Sequence, residues 1–359
     1  MRYTAGKKHF LGSDILTRIY LIRHAEAEGN LYRIVQGQGN SNLTDRGWRQ
    51  VKALERRFAD IHIDDVYTSD LYRTCATASA VYKPKRIVPH RRKDLREIYV
   101  GDWEGRTWGD IARRWPEQMG YFSHRPDLWY SQGAETALGV LERIRTAVSS
   151  IAAENEGRTI AIFSHGYAIR LLLADLQGYP AERMGESPTG QNTAVSLLEY
   201  ENGEMRILFR DDVSHLKTEE YLSGETVRRV ADPLEPGLWF QPPQGKEAEE
   251  IAAACGLTLH PEAQTLVGWS RETPVGVVQL GPEAGRVALA CILPAYRGKG
   301  FGGQLIGQAV QWTRAQGGGE LLAHPGEGAQ GFLLAYGFQP LKSGDFAKDI
   351  RFIPEFLDE

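Results

Sequence analysis

The chain has 359 residues, and its 42 Lys and Arg against 46 Asp and Glu leave a charge of -4, which argues against a nucleic-acid partner held by bulk charge. Its 42% hydrophobic and 25% charged content is that of an ordinary folded protein, and at roughly 150 residues per domain the prior is two domains. No apolar run reaches the roughly 18–20 residues of a membrane helix, the basic start lacks a signal peptide's apolar stretch, and Cys75, Cys255 and Cys291 are too scattered for disulfides, so a cytoplasmic protein is expected.

The first half alternates strand and helix patterns. Arg18–Ile22 reads as a strand, and a helix over about 44–60 follows, capped by Thr44 and Asp45 with Val51, Leu54 and Phe58 at helical spacing. Asp65–Thr68 reads as a second strand, with Ser69 opening a helix over 70–80. A long helix over 135–154 puts Leu138, Leu141, Ile144, Val148 and Ile151 on one face. The strand Thr159–Phe163 then leads into a helix over 167–176, and strands near 193–199 and 204–210 form a hairpin around Asn202-Gly203. Strands alternating with helices imply a mostly parallel sheet in a three-layer α/β/α unit.

From Leu216 to Pro243 the periodicity fades and prolines accumulate, as in an inter-domain connection. Beyond it, 264–270 and 275–280 form a hairpin, 286–293 a third strand and 302–316 a helix, an α+β pattern. Glycine marks the same division: 20 of the 39 glycines lie within 237–345, a stretch of 109 positions, and 19 in the other 250. Backbone in the second half therefore turns more often, or approaches a ligand more closely.

Two strands of the first half end alike. Ile19–Ile22 runs into Arg23-His24, and Ile160–Phe163 into Ser164-His165-Gly166, while the strand at 65–68 leads to a helix carrying Arg73. Ligands bind at the carboxyl ends of such strands, where the helix after His165 also points its amides. Two guanidiniums, two imidazoles and a helix N-terminus make an anion pocket suited to phosphate. No metal-ligand cluster is visible.

Arg23-His24-Ala25-Glu26 with Asn30 resembles the RHGE-x-x-x-N signature of the histidine phosphatase (phosphoglycerate mutase-like) superfamily, with Ala25 in place of Gly and Ala27 in place of Ser or Thr. Leu43-Thr44 with Gly47, Ser69 with Arg73 and Thr77-Ala78, Leu95 with Glu97, Gly101–Gly105 and Ser164-His165-Gly166 with Ile169-Arg170 are similar to four further motifs, in order. The resemblance implies His24 as a nucleophile that becomes phosphohistidine. It implies Arg23, Arg73, His165, Asn30 and the Gly166 amide around the phosphoryl oxygens, and Glu97 as proton donor and acceptor, without a cofactor. The compact segment 18–215 and its Gly-Asp-Trp-Glu-Gly run resemble the phosphatase branch, so hydrolysis of a small phosphorylated metabolite is expected, with mutase-type transfer the alternative. The aromatic-rich segment 108–132 (Trp108, Trp115, Phe122 and Trp129 among others) is either a lid or a helical insertion packed by its own aromatics.

In the second half Gly298-Lys299-Gly300-Phe301-Gly302-Gly303 stands too far beyond its strand for a dinucleotide turn and lacks the Lys-Ser/Thr of a P-loop. Ile292-Leu293-Pro294 with Arg297, Gly298, Lys299, Gly300, Gly302 and Gly303 resembles motif A of GCN5-related N-acetyltransferases. That resemblance implies a mostly antiparallel central sheet and acetyl-CoA, its pyrophosphate on the loop amides. The residue that often serves as general acid falls at Leu333, a frequent Asn falls at Gly326, and spacing turns Tyr336 away on a helix. Acyl-CoA binding is thus better supported than transfer, and a bifunctional enzyme or an acyl-CoA-regulated phosphatase stands as an alternative. The expected division is 1–215 phosphatase, 216–243 linker, 244–345 acetyltransferase-like and 346–359 tail, with no nucleic acid or membrane partner and the oligomeric state open.

Overall fold

The strand read at 18–22 forms as β1 (Thr17–Arg23), with Thr17, Ile19 and Leu21 buried on one face and Ile22 on the other. The computed structural model describes residues 16–223, 236–283 and 285–357. After β1 come α1 (Glu28–Tyr32), α2 (Asp45–Arg57), β2 (Asp65–Ser69), α3 (Tyr72–Lys85) and β3 (His90–Arg92). Next are α4 (Trp108–Arg114), α5 (Pro116–His124), α6 (Ala137–Glu154), β4 (Thr159–Ser164) and α7 (Gly166–Leu176). The hairpin β5 (Val195–Glu201) and β6 (Glu204–Asp212) turns at Asn202 and Gly203, whose φ values of 51° and 87° suit the strand twist.

The sheet order is β3-β2-β4-β1-β5-β6, parallel from β3 to β1 and antiparallel beyond. Ile19 and Leu21 enter a core with Ile144, Val148 and Leu172 of α6 and α7. Ile22 enters another with Leu54 of α2 and Val81 of α3 on the opposite face. The three layers expected from the alternation are formed. α2 starts at Thr44, whose Oγ1 accepts the Gly47 N–H at 3.0 Å. Two local readings are corrected. Ser69 completes β2 and Leu71 caps α3, since the strand pairing carries one residue further. In α6 the buried stripe includes Val140, Ile144, Val148 and Ile151, while Leu138 faces solvent a turn too early.

The C-terminal unit follows α8 (Glu219–Ser223) and comprises β7 (Leu238–Gln241), α9 (Glu247–Ala254), β8 (Gln264–Ser270), β9 (Thr273–Leu280) and β10 (Arg286–Ile292). It continues through α10 (Phe301–Ala315), β11 (Glu320–Ala323), α11 (Gln330–Ala335), β12 (Gln339–Pro340) and β13 (Phe346–Asp349). The order β12-β13-β11-β10-β9-β8-β7 is antiparallel except at β10–β11.

The expected linker 216–243 contains a strand. β7 pairs with β8, and its Trp239 stacks on Trp269 at 5.2 Å, because the prolines flank this apolar run rather than interrupt it. Residues 224–235 of that stretch lie outside the described residues. The expected tail 346–359 likewise contributes β13 to the sheet, and Phe356 packs edge-on against Tyr72 of α3 at 5.7 Å. Apolar residues at 346, 352 and 356 pull this segment onto the protein.

Candidate active site

Three parallel strands bring the predicted residues to one edge. A cavity of about 370 Å³ is bordered by Arg23, His24, Asn30, Arg73, Glu97 and Gly166, and His165 stands behind it with its ring 5.3 Å from that of His24. His24 is buried, and its Nδ1 lies 2.7 Å from the Ala25 carbonyl oxygen, so Nδ1 carries the proton and donates it. Nε2 then holds the lone pair. Burial above all, then the charges of Arg73 and Arg23, push the His24 pKa well below its ordinary value, keeping the ring neutral.

Arg73 is 1% exposed, yet stays charged at neutral pH although burial lowers its pKa to about 10. Its Nη1 and Nη2 donate to the carbonyls of Gly39 and Gly37, each at 2.8 Å. The same helix holds the nucleophile loop, since Thr77 Oγ1 accepts the Ala25 N–H at 2.9 Å. Arg23 donates from Nη1 to the Gly190 carbonyl and lies flat against Gly166, where a Cβ would stand 3.0 Å from its Cζ.

His165 Nε2 meets Ser69 Oγ at 2.9 Å, and Ser69 Oγ also accepts the Leu71 N–H at 3.4 Å. The hydroxyl proton can then donate to Nε2, which leaves the ring proton on Nδ1. Burial first, then Arg73, holds the His165 pKa well below its ordinary value. His165 therefore enters as a hydrogen-bonding neutral ring. The positive charge of the pocket comes from Arg23 and Arg73, with Arg33 and Arg170 also on its border.

Glu97 borders the cavity opposite. Its Oε1 accepts the N–H groups of Ile98 and Ala168 at 3.1 and 3.0 Å, and Oε2 that of Tyr167 at 3.0 Å, which seats the carboxyl on the first turn of α7. Asn30 Oδ1 accepts the Ala27 N–H at 3.0 Å, so its amide nitrogen turns the other way. Arg23 Nε, Arg73 Nε and His165 Nδ1 are buried without a hydrogen-bond partner among the described residues. An unmade hydrogen bond at such a group costs about 1–3 kcal/mol, and a tetrahedral oxyanion would supply the missing acceptors.

Sequence reasoning missed the other walls. The backbone strip from Gly29 to Gly37 borders the cavity, as do Tyr167 and Thr189. No spacing rule reveals them, because most come from loops and Tyr167 from the start of a helix whose side-chain direction spacing does not fix. Of the segment 108–132, Trp108, Phe122 and Ser123 reach the cavity. Its aromatics also pack on one another, Phe122 lying 5.0 Å from Trp129 and 4.5 Å from Tyr167. The segment thus borders the cavity and is packed by its own aromatics.

A second cavity, about 1720 Å³, opens in the C-terminal unit, where β10 and β11 pair only at Arg286–Leu322 and Val287–Ala323 and then splay. Ile292, Arg297, Gly298, Gly300 and Gly302 border it. Leu293, Lys299 and Gly303 do not. The Leu293 N–H donates to Val275, Lys299 lies over the Tyr296 ring at 4.8 Å, and Gly303 abuts Tyr336. Tyr336 itself borders the cavity, against expectation, because α11 ends at Ala335 and the backbone there leaves the helix path. Gly298 and Gly300 take φ of 77° and 78°, which wraps the turn onto the first turn of α10. Splayed strands and such a turn fit a long thioester ligand with a pyrophosphate. Among the described residues no group of His, Cys, Asp and Glu is arranged to hold a metal ion, and no helix is long and apolar enough to cross a membrane.

A doubly covered sheet ending in two imidazoles and two arginines defines a phosphoryl-transfer protein. Residues 19–213 match the histidine phosphatase superfamily (branch 1), to which the chain belongs, and residues 246–355 match an acetyltransferase (GNAT) domain. A probable phosphoglycerate mutase GpmB from Proteus mirabilis is 31% identical over 209 residues, 56% of this chain and 95% of that protein. A metal-independent phosphoserine phosphatase from Arabidopsis thaliana is 30% identical over 215 residues, 58% of this chain and 86% of that protein. Among solved structures, Bacillus stearothermophilus YhfR superposes with a TM-score of 0.54 at 32% identity, covering 56% of this chain and 99% of that one.

Proposed function

We propose that the N-terminal unit hydrolyses a phosphomonoester of a small metabolite through a phosphohistidine on His24. The observation that carries this reading is a neutral His24, Nε2 lone pair exposed to the cavity, beside two charged guanidiniums with unpaired Nε atoms. Nε2 attacks phosphorus as the bond to the leaving oxygen breaks, and Glu97 delivers a proton to that oxygen. Water then attacks the phosphohistidine, Glu97 takes its proton, and the P–N bond breaks to release phosphate. Such acid–base assistance is worth about 10²–10⁴-fold. Arg23 and Arg73 match the charge on the equatorial oxygens, and His165, Asn30 and the Gly166 N–H add donors. A cavity of about 370 Å³ suits a small ester.

Likeness to a phosphoserine phosphatase supports hydrolysis, and likeness to a probable mutase keeps transfer to a second hydroxyl as the alternative. The C-terminal cavity supports acyl-CoA binding, with the turn at Gly298–Gly302 against the pyrophosphate; such a thioester supplies an activated acyl group when bound. The test is to screen phosphorylated metabolites with the wild type and His24→Ala. Phosphate release with an acid-labile phosphoenzyme, both lost in His24→Ala, is expected. An active His24→Ala protein overturns the proposal, and transfer to a second substrate without phosphate release moves it to the mutase reading.

A further inference from the structure

The strip from Glu28 to Gly37 has two sides. Gly29, Asn30 and Gly37 border the phosphoryl cavity, whereas Tyr32, 1% exposed, belongs to the apolar core built around α10 and β9 of the C-terminal unit, and Ile34 borders both. Tyr32 rests on Gly307 in the middle of α10, so closely that a Cβ there would stand 2.5 Å from Tyr32 Cβ.

At the far end of α10, Arg314 grips the first residue of α1. Its Nη1 and Nη2 donate to the two oxygens of the buried Glu28 at 2.6 and 3.2 Å, and its Nε to the Ile350 carbonyl at 2.9 Å. Asn42 closes the network. Its N–H donates to Glu28 Oε2 at 3.3 Å, its carbonyl accepts the Glu28 N–H at 2.9 Å, and its side-chain amide donates to Ile350 and Arg351. A bidentate guanidinium fixes both distance and orientation, and Glu28 stands two residues before Asn30. The opposite wall leans on the same unit, because Gly109 of α4 abuts the Leu238 backbone and Arg113 covers the Trp239 ring at 4.2 Å.

We infer that Arg314, a residue of the acetyltransferase-like unit, is a positioning residue for phosphoryl transfer. It holds Glu28, and through it the turn of α1 that presents Asn30 and the Gly29 backbone to the phosphoryl group. The inference rests on the phosphatase reading above.

The test uses the full chain with p-nitrophenyl phosphate as substrate and orthovanadate as inhibitor. Because small displacements of positioning groups cost up to about 10²-fold, Arg314→Gln should raise KM and the vanadate inhibition constant about ten-fold or more. Arg314→Lys, which keeps the charge but not the fork, should fall between Arg314→Gln and wild type. Gly307→Ala, which pushes on Tyr32 from below, should act in the same direction. Ile251→Ala, a cavity under α9 in a separate core, should lower the melting temperature and leave both constants alone. If hydrolysis depends on His24 but Arg314→Gln and Gly307→Ala keep wild-type constants, the positioning role is overturned while the phosphatase reading stands. If the wild type shows no His24-dependent hydrolysis, the phosphatase reading itself fails. Should Arg314→Gln not fold, Arg314→Lys and Gly307→Ala decide the question.

Discussion

The rings of His24 and His165 stand 5.3 Å apart at an angle of 56°, and the Arg73 charge bears on both. Burial first, then this shared charge, pushes both pKa values well below the ordinary histidine value, so each ring stays neutral. We expect kcat/KM to lose no His24 nucleophile as pH falls through 6.5, the acid limb lying well below it. Replacing Arg73 by Gln should raise the His24 pKa, read from the ring carbon and proton shifts in an NMR titration. An unchanged titration would remove the electrostatic part of this account.

Stability should carry the opposite mark of the same burial. His24, His165 and His215 all have folded-state pKa values below 6.5, His215 at about 4 through burial and Arg57. The unfolded chain binds protons near pH 6.5 that the folded chain refuses, so stability is complete above that value and falls below it. The melting temperature should start to drop as pH falls below about 7.5 and go on dropping towards about pH 5. His215→Gln, which among the described residues loses bonds to Thr193 and Arg57 and lies outside the cavity border, should flatten that slope.

Gly166→Ala places a methyl 3.0 Å from the Arg23 guanidinium, which is fixed at its other end on Gly190. The guanidinium must shift by tenths of an ångström, and we expect kcat/KM to fall by about ten- to a hundred-fold with little change in melting temperature. Steady-state kinetics beside a thermal melt separate the two. A variant as fast as wild type would show that Arg23 does not contact the reacting group.

In the C-terminal unit, acetyl-CoA at a hundred times its dissociation constant should stabilise the protein by about 2.7 kcal/mol, visible as a higher melting temperature. Gly300→Asp, which adds a side chain and a negative charge at a φ of 78°, should abolish that shift. A shift of equal size in the variant would place the ligand elsewhere.

His24, Arg23 and His165 were legible because strand ends in a parallel sheet point at one crevice, and the apolar runs before them fix where the strands end. Arg73 follows from the helix after the strand at 65–68, whereas Glu97 needed the resemblance, since a loop glutamate carries no periodic signal. β7 was hidden by Pro236, Pro242 and Pro243, which read as a connection although Leu238-Trp239-Phe240 lies between them. Tyr336 was misplaced by assuming that α11 ran on. The pairing of Glu28 with Arg314 spans 286 positions, and nothing local to either residue announces it.

α10 spans 15 residues, about 22 Å of helix. It begins at the glycine turn beside the large cavity and ends with Arg314 on Glu28. A single helix thus borders one cavity and holds the turn that lines the other, and thermodynamic reciprocity binds any ligands the two accept. Whatever factor an acyl thioester applies to the affinity for phosphate, phosphate must apply to the affinity for the thioester. A titration read at either end of the helix measures one coupling free energy, and a value of zero at one end fixes it at zero at the other.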